Sequence, residues 1–313
     1  MGKVLTAIDK SGSFRVYLGI TTDVVEEARK LHSTTPLGTA ALGRVLTGAG
    51  LMGLMMKEES NYLTMKFKGD GPAGSITATA DGKGQVRGYI QNPMVDLPLR
   101  ADGHLDVGGS LGIGQLSVSK DLGLKMPYSG QIDLVSGEIA EDISMYFYLS
   151  EQQNTSVALG VKIAKDLSVL CSGGMIIQML PGFTDEVVDV LEQVIGQMKS
   201  MTTIIEEAML KSKGLEQEQV LALMAESIFG GLPEEYRLET LAFRDITWHC
   251  NCSYHRMERG LIALGKETLV ELMEEEPHQA ELVCQFCNSK YVFDKGQLAG
   301  LIEIIDKKNN SEK

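Results

Sequence analysis

Basic residues are in short supply in this chain, where 29 Lys and Arg stand against 42 Asp and Glu for a net charge of −13. Phosphate recognition requires concentrated cations, so this balance argues against a nucleic-acid surface. The N-terminus has no basic region followed by an apolar one and a small-residue cleavage site, so no export signal is expected and the chain reads as cytoplasmic. Met1-Gly2-Lys3-Val4-Leu5-Thr6 fits the short myristoylation pattern, but so loose a pattern arises easily by chance. Glycine-rich nucleotide fingerprints are also missing. Gly108-Gly109-Ser110-Leu111-Gly112-Ile113-Gly114 lacks dinucleotide spacing and reads as a loop entering a strand. Gly260 to Lys266 has phosphate-loop spacing, but Glu267 stands where Ser or Thr should hold magnesium and no strand precedes it, so it reads as a helix and its cap.

Long hydrophobic runs are limited to Leu37 to Met56, which is apolar apart from Arg44. A central Arg is costly in a bilayer, and the many glycines suit close packing on a sheet. The stretch therefore reads as a buried core helix with Pro36 at its first position.

Cysteine is scarce too, and four of the five lie between Cys250 and Cys287. Cys250-Asn251-Cys252 and Cys284-Gln285-Phe286-Cys287 are two close pairs separated by a helix-sized insert. Without an export signal, such spacing reads as a metal site before a disulfide framework. Residues i and i+2 of an extended segment point the same way, so Cys250 and Cys252 can face one ion, and Cys284 and Cys287 can do so from a tight turn. Zinc is the expected ion, one per chain, because four thiolates close a tetrahedral shell and leave no position open for a substrate. His249, His255 and His278 lie in or beside the segment, but four cysteines suffice. Cys171, among small and apolar residues, reads as core packing and not as a nucleophile.

The remaining pattern predicts an α+β fold. Alternation marks strands at residues 13–20, 63–67, 75–80, 85–90, 114–119, 130–135 and 156–163, joined in part by Gly and Asp turns such as Gly69-Asp70-Gly71-Pro72 and Asp81-Gly82-Lys83-Gly84. Thr22 or Asp23 caps a short helix, and Ile139, Ile143 and Phe147 mark another. From Pro181 the pattern turns helical: Thr184 or Asp185 opens one helix, Ile204, Ile205 and Met209 mark a second, and Leu215 to Phe229 a third, with the helical character running to about Asp245. Those stripes are too apolar for a free linker and must dock on something. Within the cysteine segment, Met257, Leu261 and Leu264 precede a Gly265 stop, Leu269, Leu272 and Met273 form a second stripe, and Tyr291-Val292-Phe293 reads as a strand able to pack aromatics on the site. The predicted organisation is thus a core domain (1–180), a helical linker (181–246), a zinc module (247–298) and a tail (299–313).

The cysteine pattern with Ser253, Tyr291 and Phe293 resembles the redox-regulated heat-shock holdases, the thirty-three-kilodalton chaperonins. Gly69-Asp70-Gly71-Pro72, Val86-Arg87-Gly88-Tyr89, Ser136 to Asp142, Ser150-Glu151-Gln152, Gly173-Gly174 and Leu180-Pro181-Gly182 are similar to that family's signatures, in its order, across nearly the whole chain. His255 departs from the pattern, which has an acidic residue there. The resemblance implies a chaperone that is not an enzyme and holds clients without ATP. It implies an idle reduced form with zinc on Cys250, Cys252, Cys284 and Cys287, and oxidation to Cys250–Cys252 and Cys284–Cys287 disulfides with loss of the metal. The module and linker then unfold, and a dimer binds unfolding proteins. The 16 methionines, Met52, Met55, Met56, Met175, Met179, Met198 and Met201 among them, could add an adaptable client surface. The alternatives are a zinc ribbon that recognises RNA or a transcription partner, which the acidic charge opposes, and a zinc hydrolase, which a closed Cys₄ shell opposes.

Overall fold

Two compact units make up the chain, Met1–His249 and Cys250–Lys313. The computed structural model describes residues 1–212, 214 and 216–311. The architecture is α+β, as the alternating and helical patterns predict.

The first unit is built on a ten-stranded sheet. Its elements run β1 (Gly2–Asp9), β2 (Phe14–Ile20), α1 (Thr22–His32), α2 (Pro36–Leu54), β3 (Tyr62–Gly69), β4 (Ser75–Asp81), β5 (Gln85–Ile90), α3 (Val107–Leu111), β6 (Gly114–Asp121), β7 (Tyr128–Asp133), α4 (Ala140–Glu151), β8 (Thr155–Ile163), β9 (Val169–Met179), α5 (Asp185–Gly196), α6 (Met201–Lys211), α7 (Gln217–Phe229) and β10 (Leu238–Trp248). The strand order is β7-β6-β3-β4-β5-β10-β1-β2-β9-β8. Every pair is antiparallel except β10 with β5.

Of the residues in the most apolar stretch of helix α2, 94% are buried, so its hydropathy belongs to a core and not to a bilayer. Thr35 caps it by accepting from the Gly38 N–H at 3.1 Å, with Pro36 in the first turn. Its one charge, Arg44, reaches the edge of the core and pairs with Glu138. That carboxylate also binds Arg100 at 3.0 Å and the Gly108 N–H at 3.1 Å. Asp142 completes the Ser136–Asp142 signature as a loop cap, fully buried and accepting from the N–H groups of Val135, Ser136, Gly137 and Ile139. The Gly69–Pro72 signature is structural as well. A Cβ on Gly69 would lie 1.9 Å from the Leu111 carbonyl oxygen, so only glycine admits that approach.

The central strands are buried on both faces. Val4, Tyr17 and Ile176 point into the core that holds α2, while Leu5, Phe14, Val16, Leu18, Met175 and Ile177 point into a second core roofed by α5, α6 and α7. Period-two alternation delivers neighbouring residues to opposite cores. The apolar stripes on the helices after Pro181 therefore dock on β1, β2 and β9. Met175 and Met201 lie in that second core, and Met52 in the first, so these three are packing residues in this conformation.

One expectation fails here. The helical character extended to Asp245 in the sequence reading stops at Phe229, and Leu238–Trp248 is a strand. It pairs antiparallel with β1 from Gly2↔Ile246 to Asp9↔Leu238. Thr240, Phe243, Ile246, Thr247 and Trp248 are β-branched or aromatic residues that fit a strand once a partner exists, and that partner is at the N-terminal end of the chain. Strands β1 and β9 were likewise not anticipated. Leu215, the expected start of α7, lies outside the described residues, and the helix begins at Gln217.

The second unit contains α8 (Tyr254–Leu264), α9 (Lys266–Glu274), β11 (Gln279–Val283), β12 (Lys290–Asp294) and α10 (Lys295–Ser311). Its core is small: Leu261, Leu269, Ala280, Phe293, Leu298 and Leu301. Gly265, at φ +92°, ends α8 as its spacing predicts. Residues from 299, set apart above as a tail, continue α10 and place Leu301 in this core, with residues 312 and 313 outside the described set.

Candidate metal centre

The two cysteine pairs are presented by different kinds of local structure. Cys250 and Cys252 lie on non-helical chain just before α8, whose N-cap Ser253 accepts from the Arg256 N–H at 3.3 Å. Arg256 turns back through its guanidinium to the Asn251 carbonyl at 3.1 Å, tying the first pair to the helix start. Cys284 and Cys287 occupy the turn between β11 and β12. There the Asn288 N–H donates to the Cys284 carbonyl at 2.8 Å, and the Cys284 N–H donates to the Ser289 carbonyl at 2.9 Å. Asn288 takes a φ of +57°, a left-handed conformation that Asn tolerates. The hairpin register, Gln279↔Asp294 to Val283↔Lys290, places the turn.

These pieces bring all four sulphurs within 4.8 Å of one another. Cys250 Sγ is 3.7 Å from Cys284 Sγ, and Cys252 Sγ is 3.3 Å from Cys287 Sγ. A tetrahedral ion with metal–sulphur bonds of about 2.3 Å sets its ligands roughly 3.8 Å apart, so the cluster needs little adjustment to fit one. Four soft donors without a carboxylate suit zinc among the divalent ions. Among the described residues this is the one group of metal-ligating side chains so gathered.

None of the candidate histidines belongs to the group. His255 is exposed and lies 3.0 Å from Glu258, and the His278 Nδ1 lies 3.0 Å from the Met273 carbonyl. Cys171 is fully buried in β9, with its sulphur 3.7 Å from the Thr202 carbonyl. Burial, followed by the nearby Glu206 charge, pushes its thiol up to about 11, as befits a packing residue.

Inside the cluster the four sulphurs are electrostatically unequal. Burial pushes the Cys252 thiol up to about 12, against the hydrogen bond that Tyr291 donates to it. Burial also raises Cys284. At Cys287 burial acts in the same direction but is outweighed by the hydroxyl and backbone N–H of Ser289 and by the neighbouring thiols, which hold it down at about 7. Tyr291 itself rises to about 12, chiefly because its proton is held on Cys252.

The strand Tyr291-Val292-Phe293 was expected to set aromatics against the site, and Tyr291 does so through its hydroxyl, 3.0 Å from Cys252 Sγ. Ser289 was not anticipated. Its hydroxyl is hydrogen-bonded to Cys287 Sγ at 3.2 Å. The signal was present in the i, i+2 spacing of two hydroxyl residues behind Cys287, which extended chain sends to the same side.

Comparison with known proteins covers nearly the whole chain. The family model described as Hsp33 protein matches residues 2–294. A 33 kDa chaperonin of Lachnoclostridium phytofermentans is 42% identical over 299 residues, 96% of this chain and 97% of the relative. One from Acetivibrio thermocellus is 42% identical over 303 residues, 97% of each. The crystal structure of a 33 kDa chaperonin, a heat shock protein 33 homolog from Thermotoga maritima, superposes with a TM-score of 0.82 at 33% identity, covering 96% of this chain and 98% of that one.

Proposed function

The chain belongs to the Hsp33 family, and from that premise we propose that it is a redox-controlled holdase of the cytoplasm, binding unfolding proteins without catalysis or ATP. The observation that carries the proposal is the gathering of Cys250, Cys252, Cys284 and Cys287 within 4.8 Å. In the reduced state these four residues would hold one zinc ion, which would offset two of their four negative charges and fasten the α8 and β11–β12 ends of the unit together.

Peroxide converts each pair to a disulfide. Two thiolates give up two electrons, one S–S bond forms in Cys250–Cys252 or Cys284–Cys287, and hydrogen peroxide, its O–O bond broken, takes those electrons and two protons from solvent to leave as two waters. No thiolate then remains as a ligand. Structural zinc contributes about 10–16 kcal/mol in small modules, against roughly 5–15 kcal/mol for a whole domain. The six buried apolar residues of the unit's core among the described residues do not replace it.

The apolar surface for clients is supported by the second core of the first unit. Helices α5 to α7 cover Leu5, Phe14, Val16, Leu18, Met175 and Ile177, and their release would uncover a continuous sheet face together with Met201 from α6. We propose that this face receives clients and that the active form is a dimer. In this reading the methionines act after the helices lift.

The test follows zinc release and suppression of client aggregation together, before and after peroxide at raised temperature and again after reductant. Metal loss that coincides with gain of activity, both reversed by reductant, supports the switch. Metal loss with no anti-aggregation activity would reduce the centre to a structural staple.

A further inference from the structure

Two hydroxyl groups approach the sulphur cluster from one side of one segment. The Tyr291 hydroxyl donates to Cys252 Sγ at 3.0 Å, and the Ser289 hydroxyl is hydrogen-bonded to Cys287 Sγ at 3.2 Å. Their two sulphurs are the closer of the cross-pair contacts, at 3.3 Å. Like charges this near repel strongly once both are thiolates, and the chain already carries a net charge of −13. Four thiolates on a divalent ion leave two excess negative charges, which hydrogen-bond donors around the ligands can offset.

Tyr291 is held for this purpose by its own surroundings. Tyr254, on the first turn of α8, lies edge-on to the Tyr291 ring at 6.4 Å and against the Phe293 ring at 4.3 Å. The Tyr254 hydroxyl reaches the Val292 carbonyl at 3.4 Å, and Phe293 is fully buried. The strand that carries Tyr291 is thereby pinned to the helix that follows Cys252.

We infer that Tyr291, seconded by Ser289, is the positioning residue of the metal centre: its hydroxyl holds the Cys252 thiolate in the ligand set and draws charge from it. The inference rests on the zinc reading of the cluster, and it concerns the tightness of the site, not client binding. Removing such an outer partner lowers metal affinity by about 10–100-fold. Tyr291→Phe keeps the ring and its packing while deleting the donor. Tyr128→Phe deletes a hydroxyl in the first unit, where it donates to the Ser150 carbonyl at 2.8 Å, and serves as the control.

The experiment is chelator competition for zinc on the reduced full-length protein, with cobalt(II) substitution as the second readout. Tyr291→Phe is expected to lose at least about tenfold in affinity. It should also move the thiolate-to-cobalt charge-transfer band to lower energy, because a thiolate without its donor gives up electrons more readily. Tyr128→Phe should leave both unchanged, and Ser289→Ala should lower affinity to a smaller degree. Wild-type zinc affinity in Tyr291→Phe overturns the inference, as does an affinity loss with no band shift, which would mean a packing role. Failure of the unmodified protein to bind zinc would instead sink the zinc reading, so the two failures are separable.

Discussion

Cys252 Sγ and Cys287 Sγ lie 3.3 Å apart although they belong to different cysteine pairs, 35 positions apart in the chain. The second short contact, Cys250 with Cys284 at 3.7 Å, also crosses between the pairs. Folding thus interleaves the pairs around one point, as a shared ion requires, whereas the proposed oxidised state joins sulphurs within each pair.

Mapping of the oxidised protein tests that exchange. Once the cluster loosens, a partner two or three positions away is met far more often than one across a long loop, because loop closure grows costlier with length. Peptide mapping after peroxide should therefore recover Cys250–Cys252 and Cys284–Cys287. A dominant Cys252–Cys287 cross-link would contradict the proposed switch.

Cys284→Ser removes the most buried of the four sulphurs, 6% exposed, and leaves three ligands. Zinc should bind far more weakly, and amide exchange across α8, β11, β12 and α10 should accelerate while the first unit keeps its protection. Unchanged zinc content with wild-type exchange in this variant would remove Cys284 from the ligand set.

Ile205 of α6 is fully buried against β9, where a Cβ on Gly173 would lie 2.8 Å from its Cδ1. Burying a carboxylate there without a partner costs several kcal/mol. Ile205→Asp should lift α6 and suppress client aggregation even when reduced and zinc-loaded. If α6 exchanges freely and the reduced variant still fails to hold clients, the covered sheet face is not the client surface.

Glu26 joins α1 to β9. It accepts two bonds from Arg29, at 2.7 and 2.8 Å, and one from the Val169 N–H at 3.0 Å. The Arg29 bond is the main cause that holds its carboxyl down, from 4.5 to about 2. A depressed folded value means the stabilisation is present above the unfolded value and is lost as pH falls from about 4.5 toward 2. Glu26→Gln should cost on the order of 2 kcal/mol at neutral pH. Thermal unfolding of the two proteins between pH 7 and 3 should show the gap narrowing below about pH 4.5. A gap constant over that range would mean the charge contributes nothing.

Close pairs of cysteines, a capped glycine-rich apolar helix and an alternating Tyr-Val-Phe strand are local signals. They determined the ligand candidates, the buried α2 and the strand behind the site, because each depends on residues a few positions apart. The helical stripes after Pro181 likewise announced that they must dock. Tertiary structure alone decided what they dock on. Strand β10 became a strand only by pairing with β1 from the other end of the chain, and β1, β2 and β9 are covered on both faces because α2 and α5–α7 lie on opposite sides of the same sheet. The hydrogen bonds of Tyr291 and Ser289 to Cys252 and Cys287 belong to the same class. Periodicity reveals which face of an element is apolar, but the partner of that face is a long-range contact, and its identity appears only once the chain has closed on itself.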